Sequence, residues 1–98
     1  MFRIDIERLI FNQDQFDEFT QDHMEHRHGI SRYDIIEALE FGICKVKKKS
    51  ENLYEVYLKS EDGPYLLVPM IYPMRGGNGY FVITARSMTP NEIKKFKG

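Results

Sequence analysis

A short apolar run followed by helically spaced apolar positions opens the chain. Residues 6–11 end in apolar side chains and are bounded by Asn12, which predicts a first β-strand. Asn12 also suits the N-cap of a helix over about residues 13–27, whose bulky apolar side chains fall near one stripe. Gly29 suits the left-handed position that ends such a helix. The first third of the chain therefore predicts a strand and then an amphipathic helix.

A second helix is predicted directly after the first. Ser31 and Asp34 have the spacing of a capping box, and the aliphatic side chains that follow them form one helical face. Gly42 comes after the last of these apolar positions and is expected to end the helix. We expect a tight corner at residues 29–30 to join the two helices.

From Ile43 onward the apolar period changes toward that of a strand. Four strands are predicted, at residues 43–47, 53–59, 65–72 and 79–86. The segments between them are short and rich in turn-forming residues, which favours an antiparallel meander. The third strand is apolar throughout at Leu66-Leu67-Val68, so it should lie centrally in the sheet.

The end of the chain predicts a short third helix. Thr89 suits the N-cap, Pro90 the first helical position and Glu92 the closing residue of a capping box, with the helix running to about Phe96. The predicted order is therefore β-α-α-β-β-β-β-α. This order indicates a single α+β domain over residues 1–98, with two N-terminal helices packed on an antiparallel sheet of four to five strands.

Composition and charge limit the function. The chain has 98 residues and a formal net charge of −1, so any RNA contact needs a local positive face and not a basic surplus. Its one cysteine, Cys44, cannot form an internal disulfide, which fits a reducing compartment. Neither an 18-residue apolar run nor a signal-peptide core is present. We therefore expect a cytoplasmic protein without a membrane segment.

Two stretches of the chain carry a resemblance to a known family. Residues 6–12 lead into a helix that ends in His28-Gly29-Ile30-Ser31, followed by a helix that mixes acidic and aliphatic side chains. At the other end, residues 82–92 read Val-Ile-Thr-Ala-Arg-Ser-Met-Thr-Pro-Asn-Glu across the predicted strand-to-helix junction. In order and spacing these stretches resemble the BrnT-type toxins of bacterial toxin–antitoxin pairs.

This resemblance implies a RelE-like fold, an RNA-cleaving activity without metal or other cofactor, and inhibition by a cognate antitoxin. Metal-independent cleavage needs a base, an acid and positive donors for the phosphate. The resemblance assigns the catalytic arginine to Arg86 and a histidine to His28, which we expect to share one anion-binding pocket. Arg75, in the glycine-rich loop, is the third candidate for a phosphate contact.

Each catalytic candidate has a structural alternative. In the alternative for Arg86, its side chain pairs with Glu92 or Asp34 and stabilises the corner between the last strand and the last helix. His28 is also suited to the end of a helix, where its charge interacts favourably with the helix dipole. Arg75 is also suited to a solvated position at a mobile hairpin tip.

Substrate-binding candidates lie on the predicted strands. Lys45 and Lys47 give a phosphate-facing strand edge, although edge lysines also block aggregation. Tyr72 and Tyr80 flank the glycine-rich loop and suit base stacking, although strand tyrosines more often pack in the core. A zinc site at His23, His26 and His28 lacks a fourth ligand, so no metal is expected.

Two functions from different classes remain open on the sequence. The first is a toxin-like endoribonuclease that binds RNA and a cognate antitoxin. The second is a non-catalytic binding module of the same fold that works through protein contact or as a homodimer. A DNA-binding role for the two-helix unit is disfavoured because Asp34, Glu37 and Glu40 on its second helix would repel phosphate.

Overall fold

The computed structural model describes residues 4–16, 30–74 and 76–98, and within these ranges the protein is an α+β fold. A 3-10 turn at Ile6–Arg8 opens the described chain. The strands are β1 (Leu9–Phe11), β2 (Ile43–Lys48), β3 (Leu53–Lys59), β4 (Tyr65–Ile71), β5 (Tyr80–Val82) and β6 (Arg86–Ser87). The helices are α1 (Gln13–Phe16), α2 (Arg32–Phe41) and α3 (Pro90–Lys97).

The described strands form one mixed sheet in the order β1-β5-β4-β3-β2, with β6 also pairing with β4. Strands β2 to β5 form the predicted antiparallel meander, and β4 is central as expected. The prediction of a purely antiparallel sheet is wrong, because β1 pairs with β5 in parallel. Short turns predict antiparallel pairing only for strands that follow each other in the sequence. Strands β1 and β5 are distant in the sequence and no hairpin turn joins them, so they are free to pair in parallel.

Proline divides the last predicted strand. Residues 79–86 were expected to form one strand, but they form β5 and β6 with an irregular segment between them. Pro69, in the middle of β4, has no N–H to donate to a neighbour. The Pro69 carbonyl oxygen still accepts a hydrogen bond from Ile83 N at 3.1 Å. The chain then pairs with β4 again where Arg86 lies opposite Leu67.

The start of the chain also departs from the prediction. Residues 6–8 were expected to belong to the first strand, but they form the 3-10 turn. The Asp5 carboxylate accepts a hydrogen bond from Glu7 N at 3.0 Å, and this local bond favours a turn over an extended strand. Strand β1 therefore begins at Leu9.

Capping residues set the helix ends as predicted. Ser31 and Asp34 form the capping box of α2, and Thr89 and Glu92 form that of α3. Gly42 ends α2, but its φ of −104° is not left-handed. A glycine is needed there because a Cβ would lie 2.3 Å from the Lys59 carbonyl oxygen. Most of the predicted helix over residues 13–27, together with its end at Gly29, lies outside the described residues.

Apolar side chains cover both faces of the sheet. On one face Leu66, Val68 and Met70 of β4 pack in a large core that includes Ile35 of α2. On the other face Leu67, Met88 and Phe96 form a smaller cluster beneath α3. No described helix is long and apolar enough to cross a membrane.

Candidate functional site

A row of side chains runs across the sheet on the face that α3 covers. Lys45 of β2 lies opposite Tyr57 of β3, Tyr57 lies opposite Leu67 of β4, and Leu67 lies opposite Arg86 of β6. Directly opposed residues in neighbouring strands point to the same face. The register therefore places a lysine, a tyrosine and an arginine in one transverse line.

A groove of about 360 Å³ lies along this row, between α3 and the edge of the sheet. Its walls are Lys45, Lys47, Lys49, Glu55, Tyr57, Glu92, Lys95 and Phe96. Four cations and two carboxylates make this face locally positive, although the whole chain carries a net charge of −1. Such a face attracts a polyanion despite the acidic balance of the protein.

Lys45 joins the edge strand to the helix. Its Nζ donates a hydrogen bond to the Phe96 carbonyl oxygen and lies 4.9 Å from the centroid of the Phe96 ring. A cation at the carboxyl end of a helix binds otherwise unpaired carbonyls and interacts favourably with the helix dipole. Lys45 therefore has a structural role in fixing α3, whereas Lys47 is an exposed lysine on the same face of β2.

Arg86 and Glu92 form a two-pronged ion pair at the other end of the row. Arg86 Nη1 and Nη2 each donate to one carboxylate oxygen of Glu92 at 2.8 Å. The hydrogen bond from Arg86 is the main cause that lowers the pKa of Glu92 to about 2, and the same bond raises the pKa of Arg86. The structural alternative for Arg86 is thus confirmed for Glu92, while Asp34 instead caps α2.

Tyr57 and Glu55 form a second polar pair inside the groove. The Tyr57 hydroxyl donates to Glu55 Oε1 at 3.1 Å. Burial is the largest cause that raises the pKa of Tyr57, and the Glu55 carboxylate raises it further. Glu55 Oε1 also lies 4.0 Å from Lys49 Nζ. This pair was not among the residues singled out from the sequence, although polar side chains alternate there with the buried Val56 and Leu58.

The predicted site residues do not all come together. Lys45, Lys47 and Arg86 share the α3 face, with the first two on the groove wall. Tyr72 and Tyr80 lie on the opposite face, where their rings stack at a centroid distance of 4.2 Å and pack in the large core. Tyr80 is only 6% exposed. The groove is therefore built without these two tyrosines.

The remaining catalytic candidates, His28 and Arg75, lie outside the described residues. Of the predicted corner at residues 29–30, the structure describes Ile30, which is buried in the large core on the face opposite Arg86. A pocket shared by His28 and Arg86 stays a prediction. Among residues 4–16, 30–74 and 76–98, no three His, Cys, Asp or Glu side chains are grouped to hold a metal ion.

The sequence matches no protein-family model, and no curated protein matches it either. The resemblance to BrnT-type toxins therefore rests on the two sequence stretches that carry it.

Proposed function

We propose that this protein is a toxin-like endoribonuclease of the cytoplasm that has a RelE-like fold, cleaves RNA in the groove without metal, and is neutralised by a cognate antitoxin. The observation that carries this proposal is the lysine-rich groove across β2 and β3 in a chain of net charge −1. Local positive charge is what RNA phosphates require. The polar pair of Tyr57 and Glu55 inside the groove supplies groups that exchange protons.

The groove residues, together with Arg86 beside the groove, suit the three tasks of cleavage. Lys47 and Arg86 bind the scissile phosphate and stabilise the charge that develops on it. The Glu55 carboxylate takes the proton of the 2′-hydroxyl, and the 2′-oxygen attacks phosphorus. The bond from phosphorus to the 5′-oxygen breaks while the Tyr57 hydroxyl gives its proton to that oxygen. This step leaves a 2′,3′-cyclic phosphate and a free 5′-hydroxyl.

The contact between Glu55 and Tyr57 closes the proton cycle. After cleavage Glu55 holds the proton from the 2′-hydroxyl, and Tyr57 is a phenolate. The two oxygens are 3.1 Å apart in the described structure, which is hydrogen-bonding distance. The proton passes from Glu55 to Tyr57 and restores both groups without metal or another cofactor.

An RNA cleavage assay in excess EDTA tests the proposal. We expect cleavage that yields 2′,3′-cyclic phosphate ends and that stops when the attacking 2′-hydroxyl is replaced by hydrogen. Lys47→Ala should lower the rate, whereas Lys48→Ala is the matched control, because Lys48 is an exposed lysine of the same strand that does not line the groove. Equal rates for these two variants, or no cleavage by the wild-type protein, would contradict the proposal.

A second candidate function is a non-catalytic binding or dimerisation module. Three exposed large apolar side chains favour it, since Tyr33 at the start of α2, Phe41 at its end and Ile43 at the start of β2 are 69%, 78% and 57% exposed. Sedimentation over a range of concentrations tests this candidate. Self-association that Phe41→Ser abolishes, in a protein that leaves RNA intact, would favour the binding module over the nuclease.

A further inference from the structure

Arg86, which lies beside the groove, is already bound by the Glu92 carboxylate of the groove wall. Both terminal nitrogens of Arg86 donate to Glu92, at 2.8 Å each, in a planar two-pronged arrangement. The same arrangement is the one in which arginine binds a phosphate group. The Arg86 side chain is 47% exposed, so solvent and ligands reach it. A phosphate that takes these two donors therefore has to displace Glu92.

Glu92 has a second attachment that does not depend on Arg86. Its Oε1 accepts from Thr89 N at 2.8 Å, and its own backbone N–H donates to the Thr89 hydroxyl at 3.2 Å. These bonds form the capping box of α3. The carboxylate is therefore able to release the guanidinium while α3 stays capped, so the exchange does not require the helix to unfold.

The other cations of the groove determine which anions are able to displace Glu92 from Arg86. Glu92 lines the same groove as Lys47 and Lys95. An isolated phosphate that takes Arg86 replaces one anion by another and gains little. A chain of phosphates that also reaches the lysines neutralises several cations at once and gains more, because each neutralised phosphate releases counterions.

We propose that Glu92 is a built-in competitor for Arg86 that sets an affinity threshold, which RNA exceeds and a single phosphate does not. This inference rests on the proposed function for the identity of the ligand, but it does not require cleavage. By holding Arg86, Glu92 lowers the affinity of the groove for all anions. The neighbouring lysines raise the affinity of a polyanion above this threshold, so that at a given concentration the polyanion binds and a single phosphate does not.

Glu92→Gln is the variant that tests the proposal. Glutamine also closes a capping box, so α3 keeps its cap. The substitution removes the negative charge and therefore weakens the interaction of residue 92 with Arg86. The probes are inorganic phosphate and a short 2′-O-methyl oligonucleotide, which has no attacking hydroxyl. At fixed low salt we expect the variant to bind both probes about five-fold more tightly than the wild-type protein.

Three control variants separate competition from other effects. Glu55→Gln removes the same charge from the same groove without touching Arg86, so we expect a smaller gain. Thr89→Ala weakens the cap of α3 but leaves the ion pair in place, so the affinity should not rise. In the Arg86→Ala background, Glu92→Gln should give no more gain than Glu55→Gln does.

The outcomes distinguish this inference from the proposed function. A gain for Glu92→Gln that equals that of Glu55→Gln, or that persists in the Arg86→Ala background, would overturn the competitor role. Tighter phosphate binding by Glu92→Gln without any binding of the oligonucleotide would overturn the RNA groove and its selectivity, and would leave the competition for Arg86 standing. Binding of neither probe by any variant would overturn both.

Discussion

The two faces of the sheet carry different kinds of side chain. On the face toward α2, Val56, Leu58 and Val68 are fully buried in the large core. On the face toward α3, neighbouring positions of β2 and β3 carry the charged side chains of Lys45, Lys47 and Glu55, and the apolar cluster there is small. This contrast shows that one face stabilises the fold, whereas the other exposes charged groups beside a short helix. Substitutions on the two faces should therefore differ in what they cost.

Adjacent leucines on opposite faces give the largest expected effect on stability. Leu66 is 1% exposed in the large core, and Leu67 is 3% exposed in the small cluster. We expect Leu66→Ala to lower the free energy of unfolding by about 4 kcal/mol and Leu67→Ala by about 2 kcal/mol, because a large core collapses less readily around a cavity. Urea denaturation measures both. Equal losses would show that the two faces contribute alike.

Gly42 tests how closely α2 packs against the sheet. A Cβ at this position would lie 2.3 Å from the Lys59 carbonyl oxygen and 2.8 Å from that of Ala38, so the backbone has to shift. We expect Gly42→Ala to cost about 2 kcal/mol of unfolding free energy in urea denaturation. Gly77→Ala is the control, because no described atom lies within 4 Å of a Cβ built there. A cost as small as that of the control would mean that α2 is free to move away from β3.

On the α3 face, the pair of Arg86 and Glu92 should contribute less and should depend on pH. The pKa of Glu92 falls from 4.5 to about 2 in the folded protein, so the ionised carboxylate stabilises the fold above pH 4.5 and loses this effect as the pH falls toward 2. Because Arg86 is half-exposed, solvent screening reduces the contribution to about 1 kcal/mol.

Comparing the wild-type protein with Glu92→Gln isolates this effect, since the other carboxyl groups are the same in both. The difference in unfolding free energy, measured by urea denaturation, should be full at pH 7 and should shrink as the pH is lowered to 3. A difference that stays constant over this range would show that Arg86 does not hold the Glu92 carboxylate in its ionised form.

How far the sequence predicts the fold depends on whether the contributing residues are close together in the chain. Local signals were enough for the helix ends, because capping boxes at Ser31 and Thr89 depend on residues close in the chain. Alternation likewise predicted β3 at its observed bounds. The parallel pairing of β1 with β5 and the break after β5 depend on distant contacts, the latter on Pro69. No local pattern carries that information.

The candidate site shows the same limit. The sequence singled out Lys45, Lys47 and Arg86, which the fold places on one face. It did not single out Glu55 or Tyr57, because their pairing across from the lysines depends on the register of β2 with β3. A strand of alternating polar residues next to a lysine-rich strand was the available signal. Charge identified the lysines and the resemblance identified Arg86, whereas register was needed to find the groups between them.

The smallest expected effect on stability is that of Tyr57→Phe, which separates folding from chemistry on the α3 face. The ring of Tyr57 packs against the small cluster, whereas its hydroxyl bonds to Glu55 in the groove. Phenylalanine keeps the ring, so we expect a loss of about 0.5 kcal/mol in urea denaturation, the net worth of one partly exposed hydrogen bond. If the hydroxyl protonates the leaving 5′-oxygen, the same variant should cleave RNA about 100-fold more slowly. A variant that is as stable as expected and still cleaves at the wild-type rate would remove Tyr57 from the chemistry, and another group would then have to protonate the leaving 5′-oxygen.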